Sequence, residues 1–277
     1  MNIGIAGMGL IGGSLAKAYQ SAGHKVFGFD INDAITSFAR LSGAINGALD
    51  EQSIGLCETI LIAVNPGDAV AYLEKAAPHI AKGTLVIDCC GVKRSVCSRC
   101  FPLAERYGFT FVGGHPMAGS HKAGFKNSRA DLFHGAYMIL VPPVYDDPGL
   151  FGRIEEALKP VGFGHLTVTT ADKHDEMIAF TSQMAHVVSN AYIKSPSSKG
   201  HKGFSAGSYK DLTRVARLNA DMWGELCMDN NDFLIRELDG LIQSLTLYKS
   251  ALETENREVL ITLFEEGSRL KGELDQE

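Results

Sequence analysis

The residues best suited to proton chemistry lie in the segment GGHPMAGSHKAG, residues 113–124. An unperturbed imidazole titrates near neutrality, so His115 could accept a proton, while Pro116 would stiffen the adjoining backbone. An apolar run typical of a β-strand precedes the segment. We therefore expect His115 at the carboxyl edge of a sheet, where such folds bind ligands. The residues alone leave two interpretations open, a catalytic histidine or a solvated loop histidine.

A second constellation, Lys210-Asp211-Leu212-Thr213-Arg214, could bind an anion. In a helix, Lys210 and Arg214 stand four residues apart on one face. Two cations there could clamp a carboxylate, with the guanidinium bidentate. The alternative interpretation is a surface salt bridge between Asp211 and Arg214.

A glycine motif, Gly7-x-Gly9-x-x-Gly12, follows the first apolar run and opens a helical pattern. In a dinucleotide-binding turn these glycines permit a tight bend, close approach of a pyrophosphate, and packing of helix on strand. Asp30, eighteen residues after Gly12, ends the second predicted strand. Its carboxylate could bind the adenosine ribose and would repel a 2′-phosphate, which favours NAD over NADP. The alternative is a glycine-rich turn in an unrelated α/β fold, with Asp30 as a helix cap.

These motifs must be positioned by a sheet. Short apolar runs alternate with helical patterns through the first half of the chain, which predicts a parallel sheet covered on both faces by helices. The predicted strands cover residues 2–6, 25–29, 59–64, 85–88, 109–112, 137–141 and 165–168. The predicted helices among them cover residues 10–22, 69–80, 93–107 and 150–159.

From residue 171 onward the strand signals stop. Helical periods cover residues 172–193, 221–251 and 257–271, with a break rich in Ser, Lys and Gly at 195–207. We therefore predict an α/β chain with two domains. Residues 1–168 form a Rossmann-type, doubly wound NAD-binding domain, and residues 169–277 form an all-helical domain for substrate binding and dimerisation. Long apolar helix faces favour a homodimer.

Composition narrows the possible partners. The net charge of −6 argues against nucleic acid and against an anionic membrane surface. No apolar run reaches the ~18 residues of a membrane span, and the N-terminus lacks the features of a signal peptide, so we expect a cytoplasmic protein. Although Cys97 and Cys100 form a CxxC, we expect the six cysteines to be reduced, partly buried thiols and predict no metal.

Four blocks together resemble the prephenate dehydrogenase family of tyrosine biosynthesis. They are GMGLIGGS at 7–14, GGHPMAGSHKAG at 113–124, SYKDLTRVA at 208–216 and MWGELCMDN at 222–230. The resemblance runs from the first strand to about residue 230, in the family's order. The HPMAG and KDLTR blocks are its most specific parts.

The resemblance implies a role for each motif. His115 would be catalytic, accepting a hydrogen bond from the C4 hydroxyl of a cyclohexadienol while hydride leaves C4 for the nicotinamide and the ring carboxylate departs as CO2. Arg214 would be the main anchor of this dianionic cyclohexadiene. The other residues assigned to the substrate site are Lys210, Asp211, Ser120, His121, His186 and Gly207. Those assigned to the cofactor site are Gly7, Gly9, Leu10, Ile11, Gly12, Asp30, Val64 and Gly91.

Two positions depart from the family's pattern. Gly91, within Asp-Cys-Cys-Gly-Val-Lys at 88–93, stands where members often carry a serine beside the catalytic histidine. Water or Cys90 could replace that hydroxyl, or His115 could be less firmly oriented. His121 stands where many members carry glutamate, which changes the charge of the pocket.

The predicted function is therefore NAD-dependent oxidative decarboxylation of prephenate to 4-hydroxyphenylpyruvate. The first alternative is an arogenate dehydrogenase, which performs the same chemistry on a substrate with an amino group in place of the side-chain keto oxygen. A β-hydroxyacid dehydrogenase would instead rely on a lysine such as Lys173 or Lys194. A non-catalytic NAD-binding regulator would bind the nucleotide without turnover. We expect no appended regulatory domain, so that any feedback by tyrosine would act at the active site or the dimer interface.

Overall fold

A computed structural model describes residues 1–119 and 122–275 of the chain. Within these ranges, eight strands form one sheet. They are β1 (Asn2–Ala6), β2 (Lys25–Phe29), β3 (Gly47–Ala48), β4 (Thr59–Ile62), β5 (Leu85–Asp88), β6 (Thr110–Pro116), β7 (Tyr137–Val141) and β8 (His165–Val168). Their order is β3-β2-β1-β4-β5-β6-β7-β8, and β1 pairs in parallel with both β2 and β4. The order reverses between β1 and β4, so a crevice forms outside their carboxyl ends, where α/β folds bind ligands.

Apolar side chains on both faces of the sheet explain why these runs became strands. β4 and β5 are buried along their whole length. Leu15 and Ile154 belong to the cluster of apolar residues on one face, and Leu73 and Val96 to the cluster on the other. The helices that supply them, and those that complete the N-terminal part, are α1 (Leu10–Ser21), α2 (Asp33–Leu41), α3 (Glu51–Ile54), α4 (Pro66–Ala76), α5 (Arg94–Tyr107) and α6 (Pro148–Leu158). The expected doubly wound architecture is thus confirmed.

Two features of the sheet differ from expectation. The two-residue strand β3 was not predicted, because Gly47–Ala48 carries no apolar run. Strand β7 runs antiparallel to β6, whereas the sequence predicted a parallel sheet. The described part of the link between them forms only a short 3₁₀ turn at Phe125–Asn127, not the helix that a parallel crossover uses. β8 is parallel to β7 again, after α6.

The rest of the described chain is helical, as predicted. Its helices are α7 (Ala171–Ile178), α8 (Ala185–Tyr192), α9 (Gly207–Thr213), α10 (Ala220–Met228), α11 (Asn231–Glu253) and α12 (Arg257–Leu274). The helix predicted over 172–193 contains a π-helical segment, Ala179–Met184, between α7 and α8. The helix predicted over 221–251 is broken at Asn230, because the buried side chain of that residue donates to the carbonyl oxygen of Asp175 (2.8 Å) and to Gln183 Oε1 (2.8 Å). The division at 168/169 stays a prediction; β8 ends at Val168 and α7 begins at Ala171.

The long helices α11 and α12 leave large apolar side chains at the surface. Ile242, Leu245 and Phe264 are each more than half exposed. None of the helices in the described part of the chain combines the length and apolar character that crossing a membrane requires. The six cysteines are free thiols. No group of three His, Cys, Asp or Glu side chains among the described residues could hold a metal ion.

Candidate active site

The turn after β1 brings the backbone close to where an anion could bind. Gly7 has a φ of +88°, and a Cβ on Gly12 would lie 1.8 Å from the Gly7 carbonyl oxygen. A Cβ on Gly9 would meet no atom within 4 Å. Helix α1 has no side-chain cap and no acidic residue in its first turn, which begins with Leu10 and Ile11. Its N-terminal amides and dipole can therefore receive a phosphate group.

Asp30 lies directly after β2, beside this turn. Its Oδ2 accepts a hydrogen bond from the Met8 amide (2.8 Å), and its Oδ1 accepts one from the Asn32 amide (2.9 Å). Each carboxylate oxygen carries two lone pairs, so acceptor capacity remains for a ribose hydroxyl. Helix α2 is capped by Asn32 and not by Asp30. Asp30 thus ties the glycine turn to β2, and its choice between NAD and NADP stays a prediction.

Val64 and Gly91, both assigned to the cofactor site, are linked through Cys90. Val64 packs against the glycine turn, since its Cγ1 would be 2.5 Å from a Cβ on Gly7. The Cys90 thiol donates to the Val64 carbonyl oxygen at 3.4 Å, and burial raises the pKa of that thiol well above its ordinary value. A Cβ on Gly91 would lie 3.1 Å from Leu226 Cδ2 of helix α10. Position 91 therefore faces the helical part of the chain.

His115 lies within strand β6, paired with Ile139 of β7, and not in a loop after a strand. The strand predicted over 109–112 is longer in the structure, because β6 continues through both glycines of the Gly-Gly-His-Pro segment. It ends at Pro116. Gly114 allows this continuation: a Cβ there would lie 2.3 Å from the carbonyl oxygen of Asp88. His115 therefore sits at the carboxyl end of β6, as expected, but on rigid backbone.

The side chain of His115 contacts the helical part of the chain. Its Nδ1 lies 2.9 Å from Nε2 of His174, at the start of α7. The Nδ1 of His174 lies 2.7 Å from Oδ1 of Asp175. His174 and Asp175 are almost completely buried, at 2% and 0% exposure. The three side chains form a chain of two hydrogen bonds that crosses from the sheet to the helices.

Asp175 is held by residues at the start of α5. The amides of Lys93 and Arg94 donate to its Oδ1 (2.7 Å) and Oδ2 (2.9 Å), and Arg94 Nε also donates to Oδ2 (3.3 Å). The Arg94 guanidinium further donates to both carboxylate oxygens of Asp232 and, at 2.9 Å, to Oδ1 of Asn230. Arg94 of α5 therefore joins Asp175 of α7 to Asp232 of α11.

A buried ion pair supports the same region from the sheet side. Lys93 Nζ donates to Asp88 Oδ2, and both side chains have 0% exposure. Asp88 also accepts hydrogen bonds from the Gly114 amide (3.0 Å) and the Cys90 amide (2.9 Å). The pair thus fixes the end of β5, the start of α5 and the residue before His115.

The protonation of the three side chains follows from burial and neighbouring charge. Burial, then His174 and Lys93, lower the pKa of His115 well below its ordinary value. Burial also lowers the pKa of His174, against the opposing effect of Asp175. Although burial opposes it, hydrogen bonds from His174 and from the amides of Arg94 and Lys93 lower the pKa of Asp175. At neutral pH the arrangement is therefore a carboxylate beside two neutral imidazoles, and His115 can accept a proton.

The basic residues assigned to the substrate lie on α9 and at its end. Lys210 and Asp211 lie within the helix, Arg214 caps its C-terminus, and all three are exposed. Gly207 is the first residue of the same helix. Within the described ranges, no ion pair joins Asp211 to Arg214, and no hydrogen bond joins α9 to His115. The convergence of Arg214 and His115 on one substrate stays a prediction.

His186 lies in α8, next to the π-helical segment. Its Nδ1 donates to the Ser182 carbonyl oxygen at 2.9 Å, and its ring stacks on that of Trp223 with centroids 3.8 Å apart. This leaves Nε2 for a further partner. Ser120 and His121 lie outside the described residues. Of the lysines considered for a β-hydroxyacid dehydrogenase, Lys173 is paired with Glu176 at the surface (2.9 Å) and Lys194 is exposed.

Sequence reasoning missed the residues that surround His115. It assigned no role to His174, Asp175, Arg94 or Asn230, and it did not connect Leu226 with Gly91. One local signal was present: a histidine and an aspartate, both ionisable, adjoin each other on a helix that buries them. Nothing local indicated that this pair contacts a strand residue 59 positions earlier.

Comparison with known proteins agrees with the two-part architecture. Residues 15–166 match the family model described as prephenate dehydrogenase, nucleotide-binding domain. Residues 170–266 match the model described as prephenate dehydrogenase, dimerization domain. The prephenate dehydrogenase of Bacillus subtilis strain 168 is 30% identical over 271 residues, which cover 94% of this chain and 72% of that relative.

Two solved structures are similar along their whole length. The arogenate dehydrogenase of Synechocystis superposes with a TM-score of 0.81 at 26% identity, covering 98% of this chain and 99% of the other. The prephenate dehydrogenase of A. aeolicus, solved in complex with hydroxyphenyl propionate and NAD+, has a TM-score of 0.78 at 25% identity. That alignment covers 99% of this chain and 98% of the other.

Proposed function

The chain belongs to the prephenate dehydrogenase family, and from that premise we propose that it catalyses the NAD-dependent oxidative decarboxylation of prephenate to 4-hydroxyphenylpyruvate. The observation that carries the proposal is the neutral, partly buried imidazole of His115 at the carboxyl end of β6, on the same edge of the nucleotide-binding sheet as the crevice. A base in this position can take the proton of a ring hydroxyl.

The glycine turn fits a dinucleotide. A Cβ on Gly9 would enter open space beside the turn, whereas Gly7 and Gly12 allow the turn itself to pack closely. The uncapped N-terminus of α1 offers amides to a pyrophosphate. Asp30 would hold the adenosine ribose, with Val64 and Gly91 along the remainder of the site. When bound, NAD supplies the hydride acceptor. The similar A. aeolicus enzyme was solved with NAD+, which supports this choice of cofactor.

His115 would accept the proton of the C4 hydroxyl as the C4–H bond breaks and the C4 carbon becomes carbonyl-like. Loss of the ring carboxylate as CO2 then makes the ring aromatic, so the base need not be strong. The imidazole must be uncharged to accept a proton. Burial lowers its pKa and so keeps it uncharged at neutral pH. Because His115 is paired with Ile139 of β7 and the amide of the preceding Gly114 donates to Asp88 of β5, the base keeps its place during the reaction.

The dianionic substrate needs cations. Arg214 would bind a carboxylate in bidentate fashion, with Lys210 beside it one helical turn earlier. Asp211, Gly207 and His186 would complete the helical wall of the pocket; Ser120 and His121, which the resemblance also assigns to the substrate site, lie outside the described residues. Exposed guanidinium and ammonium groups that lack a protein partner among the described residues suit this role.

Arogenate is the second candidate substrate. The similarity to the Synechocystis arogenate dehydrogenase is as extensive as that to the prephenate enzyme. Arogenate differs from prephenate in the side chain, where an ammonium group replaces the keto oxygen. The chemistry at the ring and the role of His115 are the same for both.

Initial rates test the proposal directly. The protein is assayed with prephenate and with arogenate, each with NAD and with NADP, by the absorbance of the reduced cofactor. We expect kcat/KM to be highest for prephenate with NAD, and His115→Asn to lower kcat by about 10²–10⁴-fold while NAD binding is retained. A tenfold preference for arogenate would reassign the substrate. Full activity of His115→Asn would remove the proposed mechanism.

Two further parts of the proposal concern the protein's state. The exposed apolar side chains of α11 and α12, and the match to a family dimerization domain, support a homodimer formed through the helical domain. A cytoplasmic location is also proposed, because the family to which the chain belongs consists of biosynthetic enzymes.

A further inference from the structure

We propose that His174 and Asp175 position the base of this enzyme, by holding the ring proton of His115 on Nδ1 and leaving Nε2 free to accept. His174 and Asp175 act through His115 and are positioning residues. The kinetic part of the inference rests on the proposed function; the part that concerns the proton does not.

The protonation state of Asp175 follows from the groups around it. Three N–H groups donate to its two oxygens: the Lys93 amide to Oδ1 (2.7 Å), and the Arg94 amide (2.9 Å) and Nε (3.3 Å) to Oδ2. The fourth partner is the His174 ring, whose Nδ1 lies 2.7 Å from Oδ1. An ionised carboxylate has about four lone-pair positions and no proton of its own. Three of these positions accept N–H groups, one of them from the Arg94 guanidinium, so Asp175 is ionised and can only accept. The Nδ1 of His174 must therefore carry a proton and donate it to Oδ1.

The tautomer of His174 in turn determines the tautomer of His115. A neutral imidazole carries one ring proton, so His174 with its proton on Nδ1 has a lone pair on Nε2. The Nδ1 of His115, 2.9 Å away, must then donate to that lone pair. His115 is neutral as well, and its Nε2 is left with a lone pair. This tautomer is the one that can accept a proton from a ring hydroxyl.

Two other groups could orient His115: a side chain at position 91 and the Cys90 thiol. Gly91 has no side chain, and the space next to it is taken: a Cβ there would lie 3.1 Å from Leu226 Cδ2. The Cys90 thiol, considered as a substitute, donates instead to the Val64 carbonyl oxygen. Among the described residues, His174 is the side chain that hydrogen-bonds the His115 ring. Orientation of the base therefore comes from α7.

The charged and titratable groups around the pair are few. Asp175 and His115 contact His174 directly, and Lys93 and Asp88 of the buried ion pair act on it from α5 and β5. Arg94 contacts Asp175 from the far side. If His174 became protonated, its Nε2 would donate to His115 and force the His115 proton onto Nε2. The base would then be blocked although it is still uncharged.

Two substitutions of His174 separate positioning from simple structural support. The amide of asparagine reaches about as far as imidazole Nδ1, so His174→Asn can keep the bond to Asp175 but cannot reach His115. The amide of glutamine reaches about as far as Nε2, so the carbonyl of His174→Gln can accept from His115. His165→Asn, at an exposed ring stacked on Tyr137, is the matched control.

We expect His174→Asn to lower kcat by about 10–100-fold with little change in the KM for NAD, and His174→Gln to recover most of that loss. His165→Asn should match the wild type. Long-range ¹H–¹⁵N correlation spectra of the rings should show His115 protonated on Nδ1 in the wild type and in His174→Gln. In His174→Asn the proton should move largely to Nε2.

The outcomes distinguish the two proposals. A wild-type His115 protonated on Nε2, or a His174→Asn enzyme within twofold of the wild-type kcat, would overturn the positioning role. Equal losses in both His174 variants, with a lowered Tm and weaker NAD binding, would also overturn it in favour of structural support. A protein that turns over neither substrate, but whose His115 tautomer depends on His174, would refute the proposed function alone.

Discussion

Replacing Lys93 by methionine removes a buried charge and nearly nothing else. The ammonium of Lys93 donates to Asp88, and neither side chain is exposed. Methionine keeps the length and apolar stem of lysine but leaves the Asp88 carboxylate buried without its counter-ion. Two amide donors, from Gly114 and Cys90, remain on that carboxylate and offset part of the cost.

The magnitude follows from this geometry. Removing one partner of a buried ion pair costs about 3–5 kcal/mol, and the two remaining amides place the expected loss near the lower end, about 3 kcal/mol. This is a large share of the ~5–15 kcal/mol that stabilises a typical native protein. It corresponds to a decrease in Tm of roughly 6–12 °C for a chain of this size.

Chemical denaturation at a fixed protomer concentration measures the free energy of unfolding of Lys93→Met. Lys75→Met, at an exposed position of α4, serves as the control and should stay within about 0.5 kcal/mol of the wild type. The double variant Asp88→Asn/Lys93→Met carries no unpaired buried charge, so it should be more stable than Lys93→Met. A loss below about 1 kcal/mol for Lys93→Met, or a double variant no more stable than it, would refute the reasoning.

Three further predictions concern the site. Since burial, His174 and Lys93 all lower the pKa of His115, activity is present above that pKa and is lost as the pH falls through it. The acid limb of kcat/KM should therefore lie below pH 6.5, and a midpoint above that value would contradict the assignment. Arg214→Ala should raise the KM for the acid substrate about tenfold or more while kcat changes less; an unchanged KM would remove Arg214 from the substrate site. Asp30→Ala should weaken discrimination against NADP, measured as the ratio of the KM values for NADP and NAD. An unchanged ratio would mean that Asp30 does not select the cofactor and serves the turn through its hydrogen bond from the Met8 amide.

Several features could be predicted because contiguous residues encode them. The glycine turn after β1 depends on small residues at fixed spacing, and the structure has the strained φ at Gly7 and the close contact at Gly12 that the motif requires. The central strands are apolar runs because they are buried on both faces. His115 drew attention as an ionisable side chain among small residues. Each of these signals is carried within a dozen neighbouring positions.

Other features depend on how distant elements pack and could not be predicted in this way. The reversed direction of β7 depends on the path of the preceding link, and the break at Asn230 depends on buried partners in α7 and the π-helical segment. The contact between His115 and His174 joins residues 59 positions apart, and Leu226 fills the space beside Gly91 from another domain. Sequence by itself determined the central strands and the cofactor turn, and it singled out His115, the proposed base, because backbone preference and burial are local. Only the tertiary structure decided which groups hold the proton of that base, because hydrogen bonds between elements form where packing brings their atoms within about 3 Å.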